Sequence, residues 1–111
     1  RNSIMATFTR KKLAHIQLAN SKGDVYDPGT SIGLVHTIIL FNSNTTAETV
    51  VLNYHDGTNE YAILTKSLAK NETLFITIPG EGLVVDASSK LTGSTTTASK
   101  VTCTITGTEE A

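Results

Sequence analysis

The sequence predicts an all-β protein. The expected form is a single-domain two-sheet β-sandwich or jelly roll of about seven or eight antiparallel strands, with an extended N-terminal arm. Three observations predict it. Alternating, strand-like runs recur about every ten residues, with turn-forming residues between them. Thr, Val and Ile are plentiful, whereas aromatics are only 5% of the 111 residues. Branched side chains of that kind suit a pleated, half-buried surface. No amphipathic helix of useful length interrupts the pattern. A chain of this size buries roughly two thirds of its unfolded surface, which is enough for one modest core.

Each element can be justified in chain order. Arg1 to Ile4 precede Met5, and "MATFTRKK" reads as a natural start. Residues 1–4 therefore read as an expression scar, 5–22 as an N-terminal arm or first strand, and 23–111 as the sandwich. In "KLAHIQLANS", Leu13, His15 and Gln17 share one face, and Ala14, Ile16 and Leu18 the other. "SKGDVYDPGTS" carries turn signals at Gly23, Asp27, Pro28 and Gly29, around a short edge strand at Val25 and Tyr26. From Gly33 to Ser43, Val35, Thr37, Ile39 and Phe41 alternate with Leu34, His36, Ile38 and Leu40. Apolar residues on both faces mean either a central strand covered on both sides or one whose outer face meets a partner.

"NSNTTAE" is a loop, and Glu48 to His55 is the next strand, with Val50, Leu52 and Tyr54 inward. Asp56-Gly57 is a hairpin signal in a loop of about four residues. Tyr61, Ile63 and Thr65 alternate in the return strand. Thr73 to Ile78 is a strand with Leu74, Ile76 and Ile78 inward, ended by Pro79 and the turn "PGEG". "LVVDASSKL" supplies one more strand, and "TGSTTTAS" from Thr92 to Ser99 reads as a mobile polar loop. Lys100 to Thr106 has the cleanest alternation: Val101, Cys103 and Ile105 against Thr102, Thr104 and Thr106.

Charge and composition narrow the function classes. A formal charge of -1 gives no general attraction to nucleic acid or to anionic membranes, so neither is an expected partner. The longest apolar runs are a few residues, far below the roughly 20 that a membrane helix needs. The basic run "TRKK" is not followed by an apolar stretch and does not read as a signal peptide. Cys103 is the single cysteine, which rules out an intrachain disulfide; its strand position reads as a buried, inert thiol.

Residues that could carry chemistry are few. His15, His36 and His55 lie in expected strands without metal-ligand spacing, although a metal shared on an oligomer axis is an alternative. Asp24 and Asp27 lack the dense acidic ladder of a calcium loop. There is no G-x-S-x-G elbow, "PGEG" is too short for a phosphate loop, and Glu81 and Asp86 read as surface charge. Asn44-Thr45-Thr46 and Asn71-Glu72-Thr73 match the glycosylation pattern and read as chance. No acid, base and nucleophile converge, so the chain is expected to be no enzyme and to hold no cofactor and no metal. The one basic cluster, Arg10, Lys11 and Lys12, reads as a solvated tail or as an arm on an acidic partner surface. Glu109 and Glu110 give the chain an opposite polarity at its other end.

The order of segments from Asp27 to Glu110 carries a resemblance. A Pro-Gly turn leads into an apolar strand ending in Phe41-Asn42, then a Thr/Ser loop at Thr45-Thr46. A Leu-x-x-x-Glu-Thr-Leu step follows from Leu68 to Leu74, then "GLVVDASS" from Gly82 to Ser89, and a last strand ending in Gly107 to Glu109. In this the chain is similar to small β-sandwich virion structural proteins of tailed bacteriophages, of the capsid decoration or cement type. The resemblance implies a non-enzymatic particle protein assembled in the host cytoplasm. Such a protein sits on the outer capsid surface, often as a homotrimer, with the major capsid protein and its own copies as partners. On that reading Phe8, Arg10, Lys11 and Lys12 lie on the capsid, and Leu34, Ile38 and Leu40 face a neighbouring copy. The alternative is a neck or tail-fibre recognition module for a host surface glycan or protein. Its contact loops would be Thr92 to Ser99 and the Asp56 to Glu60 turn; the absence of Trp, with only Tyr26, Tyr54 and Tyr61 to form an aromatic face for a sugar ring, counts against it.

Overall fold

A computed structural model describes residues 7–110. The readings of residues 1–4 as a scar and of Met5 as the start lie outside that range. The strands are β1 (Phe8–Gln17), β2 (Gly23–Tyr26), β3 (Gly33–Asn42), β4 (Glu48–His55), β5 (Glu60–Leu68), β6 (Thr73–Thr77), β7 (Leu83–Val85), β8 (Lys90–Thr95) and β9 (Val101–Glu110). They form two antiparallel sheets: β1-β9-β3-β6, with β7 also on β3, and β2-β8-β4-β5.

β6 and β7 follow one another along the same edge of β3. Thr77 lies opposite Thr37, and Leu83 opposite Val35. The "PGEG" turn is an excursion between them, closed by Gly82 N–H donating to the Pro79 carbonyl at 3.3 Å. Taken as one interrupted strand, β6–β7 reduces the count to eight. The pairing is then first with last, second with seventh, third with sixth and fourth with fifth. That is a long hairpin rolled onto itself, the jelly-roll topology expected from the strand spacing. The N-terminal segment takes the strand option: β1 is paired with β9 from Phe8 to Gln17 and forms the sheet's edge.

The core lies between the sheets. Val35, Ile38, Leu40, Val101, Cys103 and Ile105 come from one sheet, and Val50, Leu52, Leu68 and Leu91 from the other. Leu74, Ile76 and Ile78 pack against it, as their alternation predicts. Tyr54 also points inward, and its hydroxyl donates to the Val84 carbonyl across the sandwich at 2.5 Å.

"LVVDASSKL" is not one strand: Leu83–Val85 is β7 on the first sheet, and Lys90 and Leu91 open β8 on the second. Two further expectations need correction. The first concerns β3. Opposite β9, its register shifts between Val35 and Thr37, leaving His36 as an extra residue. Such a bulge resets the two-residue period. Val35 therefore shares the inner face with Ile38, Leu40 and Asn42, while Leu34 shares the outer face with Thr37, Ile39 and Phe41. Ile38 and Leu40, expected to face a partner, are 3% and 0% exposed and belong to the core. In the folded chain they have no surface to offer.

The second concerns "TGSTTTAS". Thr92 to Thr95 is not a loop but part of β8, paired throughout with β4 and, at Thr92 and Gly93, with β2 as well. Its polar composition hides a buried position. A Cβ on Gly93 would lie 2.8 Å from Leu52 Cδ2 and 3.1 Å from Val25 Cγ2, so this small residue makes room for the side chains of the two strands that flank it in its own sheet. Thr92 Oγ1 donates to Glu60 Oε2 at 2.6 Å, and Thr95 Oγ1 to Glu48 Oε1 at 3.0 Å. A buried strand of threonines is tolerable because its hydroxyls are satisfied.

Candidate functional site

One end of the sandwich is sealed by polar groups. Asn42 ends β3 and is fully buried. Its Nδ2 donates to the carbonyls of Thr46, Leu68 and Ala69 at 3.0, 3.1 and 3.1 Å, and its Oδ1 accepts from Asn44 N–H at 2.9 Å. Glu48, 1% exposed, opens β4 beside it. It accepts from Asn44 Nδ2 at 2.8 Å, Thr95 Oγ1 at 3.0 Å and Thr97 N–H at 2.7 Å. Burial pushes this carboxyl up, but the hydrogen bonds from Asn44, Thr97 and Thr95 outweigh it and hold it below its ordinary value. "NSNTTAE", a loop in the sequence, is thus a clamp joining three chain crossings.

The opposite end is more open. Tyr26, buried on β2, reaches the other sheet, and its hydroxyl donates to Glu109 Oε2 at 2.6 Å. Lys11 Nζ donates to Glu109 Oε1 at 2.6 Å. Lys11 and Tyr26 together hold the Glu109 carboxyl low. Burial, then the bond to Glu109, pushes the Tyr26 phenol up. Gly33 permits this crossing: a Cβ there would lie 2.1 Å from the Tyr26 hydroxyl oxygen. The neighbouring surface is a groove lined by Arg10, Lys11, Lys12, His36, Thr106, Gly107 and Thr108.

The outer face of the β1-β9-β3-β6 sheet combines two chemistries. Down its centre, β9 presents Thr102, Thr104, Thr106 and Thr108. On one side their register partners are Gln17, His15, Lys12 and Arg10. On the other they are Phe41, Ile39, Thr37 and Leu34. Phe75, 67% exposed, lies opposite Ile39, and the exposed Val84 opposite Leu34. The face is therefore cationic and polar along β1 and apolar along β3, β6 and β7. His15 Nδ1 lies 2.8 Å from Thr104 Oγ1 and stitches the polar side.

The sequence-predicted partner residues divide accordingly. Phe8, Arg10, Lys11 and Lys12 are exposed on the edge strand, with Lys11 engaged by Glu109. Leu34 is half-buried on the outer face. Ile38 and Leu40 are core. The apolar outer residues that the sequence reading passed over are Ile39, Phe41, Phe75 and Val84. The first two were visible as the other face of the same strand; choosing between the faces required the His36 bulge.

The remaining candidates are also placed. Of the tyrosines, Tyr26 is buried and Tyr54 is tied to Val84, leaving Tyr61 exposed at 67%. His55 Nδ1 accepts from Gly57 N–H at 3.0 Å within the β4–β5 turn. Asp27 Oδ1 accepts from Gly29 N–H, and Asp24 pairs with Lys90 at 2.9 Å. Cys103 is buried, and burial pushes its thiol up to about 12. Among the described residues no three His, Cys, Asp or Glu side chains are grouped to hold a metal ion. No helix among them is long and apolar enough to cross a membrane.

No protein-family model and no curated protein matches the chain. Among solved structures it is similar to a pentameric capsid protein isolated from metagenomic phage sequences. The identity is 11% and the TM-score 0.38, covering 89% of this chain and 59% of that one. A second structure of such a protein gives the same identity and score and is covered over 62% of its length. The structure of infectious bursal disease virus Gx strain matches at 12% identity and a TM-score of 0.44, covering 97% of this chain and 32% of that one. The chain thus spans less than two thirds of each of these proteins.

Proposed function

We propose that this is a non-enzymatic structural protein of a tailed-bacteriophage virion, most specifically a capsid decoration or cement protein. It binds the outer capsid surface through the major capsid protein, associates with its own copies as a homotrimer, and stabilises the shell. The segment order from Asp27 to Glu110 supports the class. The jelly roll is compatible with it, but lectin domains and cupins share that architecture, so fold alone does not decide.

The observation that carries the reading is the two-part outer face. A protein that bridges capsomers needs one surface for its own copies and another for the shell. Ile39, Phe41, Phe75 and Val84 supply an apolar stripe suited to the first. Phe8, Arg10 and Lys12, on the edge strand, supply a cationic flank suited to the second.

The test is the number of copies per purified virion, by quantitative mass spectrometry against the major capsid protein. Icosahedral symmetry requires on the order of hundreds of copies for a shell protein. About a dozen or fewer would place the chain at the neck or tail and favour the recognition module, with Tyr61 and the Asp56 to Glu60 turn as its contacts. Absence from the particle would overturn the virion reading.

A further inference from the structure

We infer that the groove between Arg10, Lys12 and His36 is a binding site for an extended acidic peptide with carboxylates at alternate positions. The inference rests on the decoration reading only for where that peptide resides, namely on the capsid surface. The site itself follows from the register.

Arg10 lies opposite Thr108, and Lys12 opposite Thr106, on the outward face of the sheet. Both are exposed, and neither has an ion-pair partner among the described residues. Lys11, between them, points the other way and is taken by Glu109. His36, the bulged residue of β3, stands on the far bank, across β9. The floor is Thr106, Gly107 and Thr108. Thr108 Oγ1 is buried with no hydrogen-bond partner among the described residues, an unmet polar group beneath the trough.

The spacing selects the ligand. Residues two apart on a strand are about 7 Å apart, and strands two apart in a sheet about 10 Å. Arg10 and Lys12 therefore repeat at the interval of every second residue of an extended chain, so carboxylates at alternate positions meet both. The width between β1 and β3 admits one such chain. Nucleic acid fits less well, because no aromatic side chain lines the groove for a base to stack on. Two bulges, at Leu13 and His36, flank this level of β9 and curve the sheet where the groove lies.

The test uses the 111-residue chain and an octapeptide of alternating Asp and Ser, followed by amide chemical shifts. The expected result is saturable shifts confined to Arg10–Lys12, His36 and Thr106–Thr108. Arg10→Ala with Lys12→Ala should weaken binding by about tenfold or more while leaving the spectrum elsewhere intact. Lys66→Ala, on β5, should leave binding unchanged. A block octapeptide with four Ser before four Asp should bind more weakly than the alternating one. No shifts, shifts spread over every lysine, or an unaffected double variant would each overturn the site. Saturation by inorganic phosphate with none by the peptide would make it a small-anion site and overturn the peptide assignment. The assay needs no particle, so it separates this inference from the decoration reading. Groove binding by a chain missing from virions would sink only the latter. A shell-bound chain with an inert groove would sink only the former.

Discussion

Each end of the sandwich holds a glutamate between the sheets, and the two are held differently. Glu48, at the sealed end, takes every hydrogen bond from a neutral donor: Asn44, Thr95 and Thr97. Glu109, at the open end, is held by a cation and a phenol, Lys11 and Tyr26. The sealed end spends its polar groups on itself. The open end leaves Arg10 and Lys12 facing outward beside the engaged Lys11. A buried carboxylate with neutral partners fixes loops, whereas one with a cationic partner at the rim leaves the surrounding field available to a visitor. The difference gives Asn42 and Glu48 the geometry of a structural clamp and leaves Arg10 and Lys12 on β1 without ion-pair partners among the described residues.

The largest expected effect tests the sealed end. Asn42→Ala removes the donor to three carbonyls and the acceptor for Asn44 N–H, leaving buried groups unpaired. We expect a loss of about 2–4 kcal/mol, read as the urea midpoint with an unchanged slope. A loss below about 0.5 kcal/mol would mean that water replaces the amide and the clamp is not structural.

Glu48→Gln comes next. An amide nitrogen in place of one carboxylate oxygen sets donor against donor at Thr97 or Asn44, with an expected cost of about 1–3 kcal/mol at neutral pH. The sign with pH is fixed by the lowered carboxyl. Its stabilisation is fully present above the ordinary value of 4.5 and is lost as pH falls through the lower folded value. Glu109 is lowered too and acts in the same direction. Salt separates them. In 0.5 M NaCl the Lys11 contribution at Glu109 should shrink, while Glu48, facing neutral donors, should keep its acid sensitivity. The stability-versus-pH curve of Glu48→Gln should therefore flatten most at high salt; equal flattening of wild type and variant would abolish the distinction.

How much of this was legible in the sequence follows from the same physics. β4 reads correctly because Val50, Leu52 and Tyr54 are apolar and unbulged on the inner face. Its turn reads correctly because Asp56 Oδ1 caps Thr58 and Asn59 locally. β3 misleads because one inserted residue at His36 moves Val35 to the face of Ile38 and Leu40. β8 misleads because its buried residues after Leu91 are Thr and Gly, and the threonines' partners Glu48 and Glu60 lie at least 32 residues away. A bulge and a long-range hydroxyl bond leave no local signal, so alternation alone could not recover the outer face or the middle of the second sheet.

Tyr26→Phe tests the open end. It keeps the buried ring and removes only the bond to Glu109, which retains Lys11. About 1 kcal/mol is expected, well below Asn42→Ala. A larger loss would mean that the open end is as structurally committed as the sealed one.

Lys11→Ala should be the smallest. The lysine side chain is 53% exposed, and exposed pairs contribute about 0–1 kcal/mol, less in salt. Glu109 would still accept from Tyr26, so the sheets stay bridged. The informative readout is the groove. If Lys11 only neutralises Glu109, removing it exposes that carboxylate beside Arg10 and Lys12 and should weaken peptide binding without touching the fold. If Lys11 instead binds the peptide directly, Lys11→Ala with Glu109→Gln should bind as weakly as Lys11→Ala alone. Recovery in the double variant would assign the loss to the uncovered Glu109 charge and leave Arg10 and Lys12 as the binding pair.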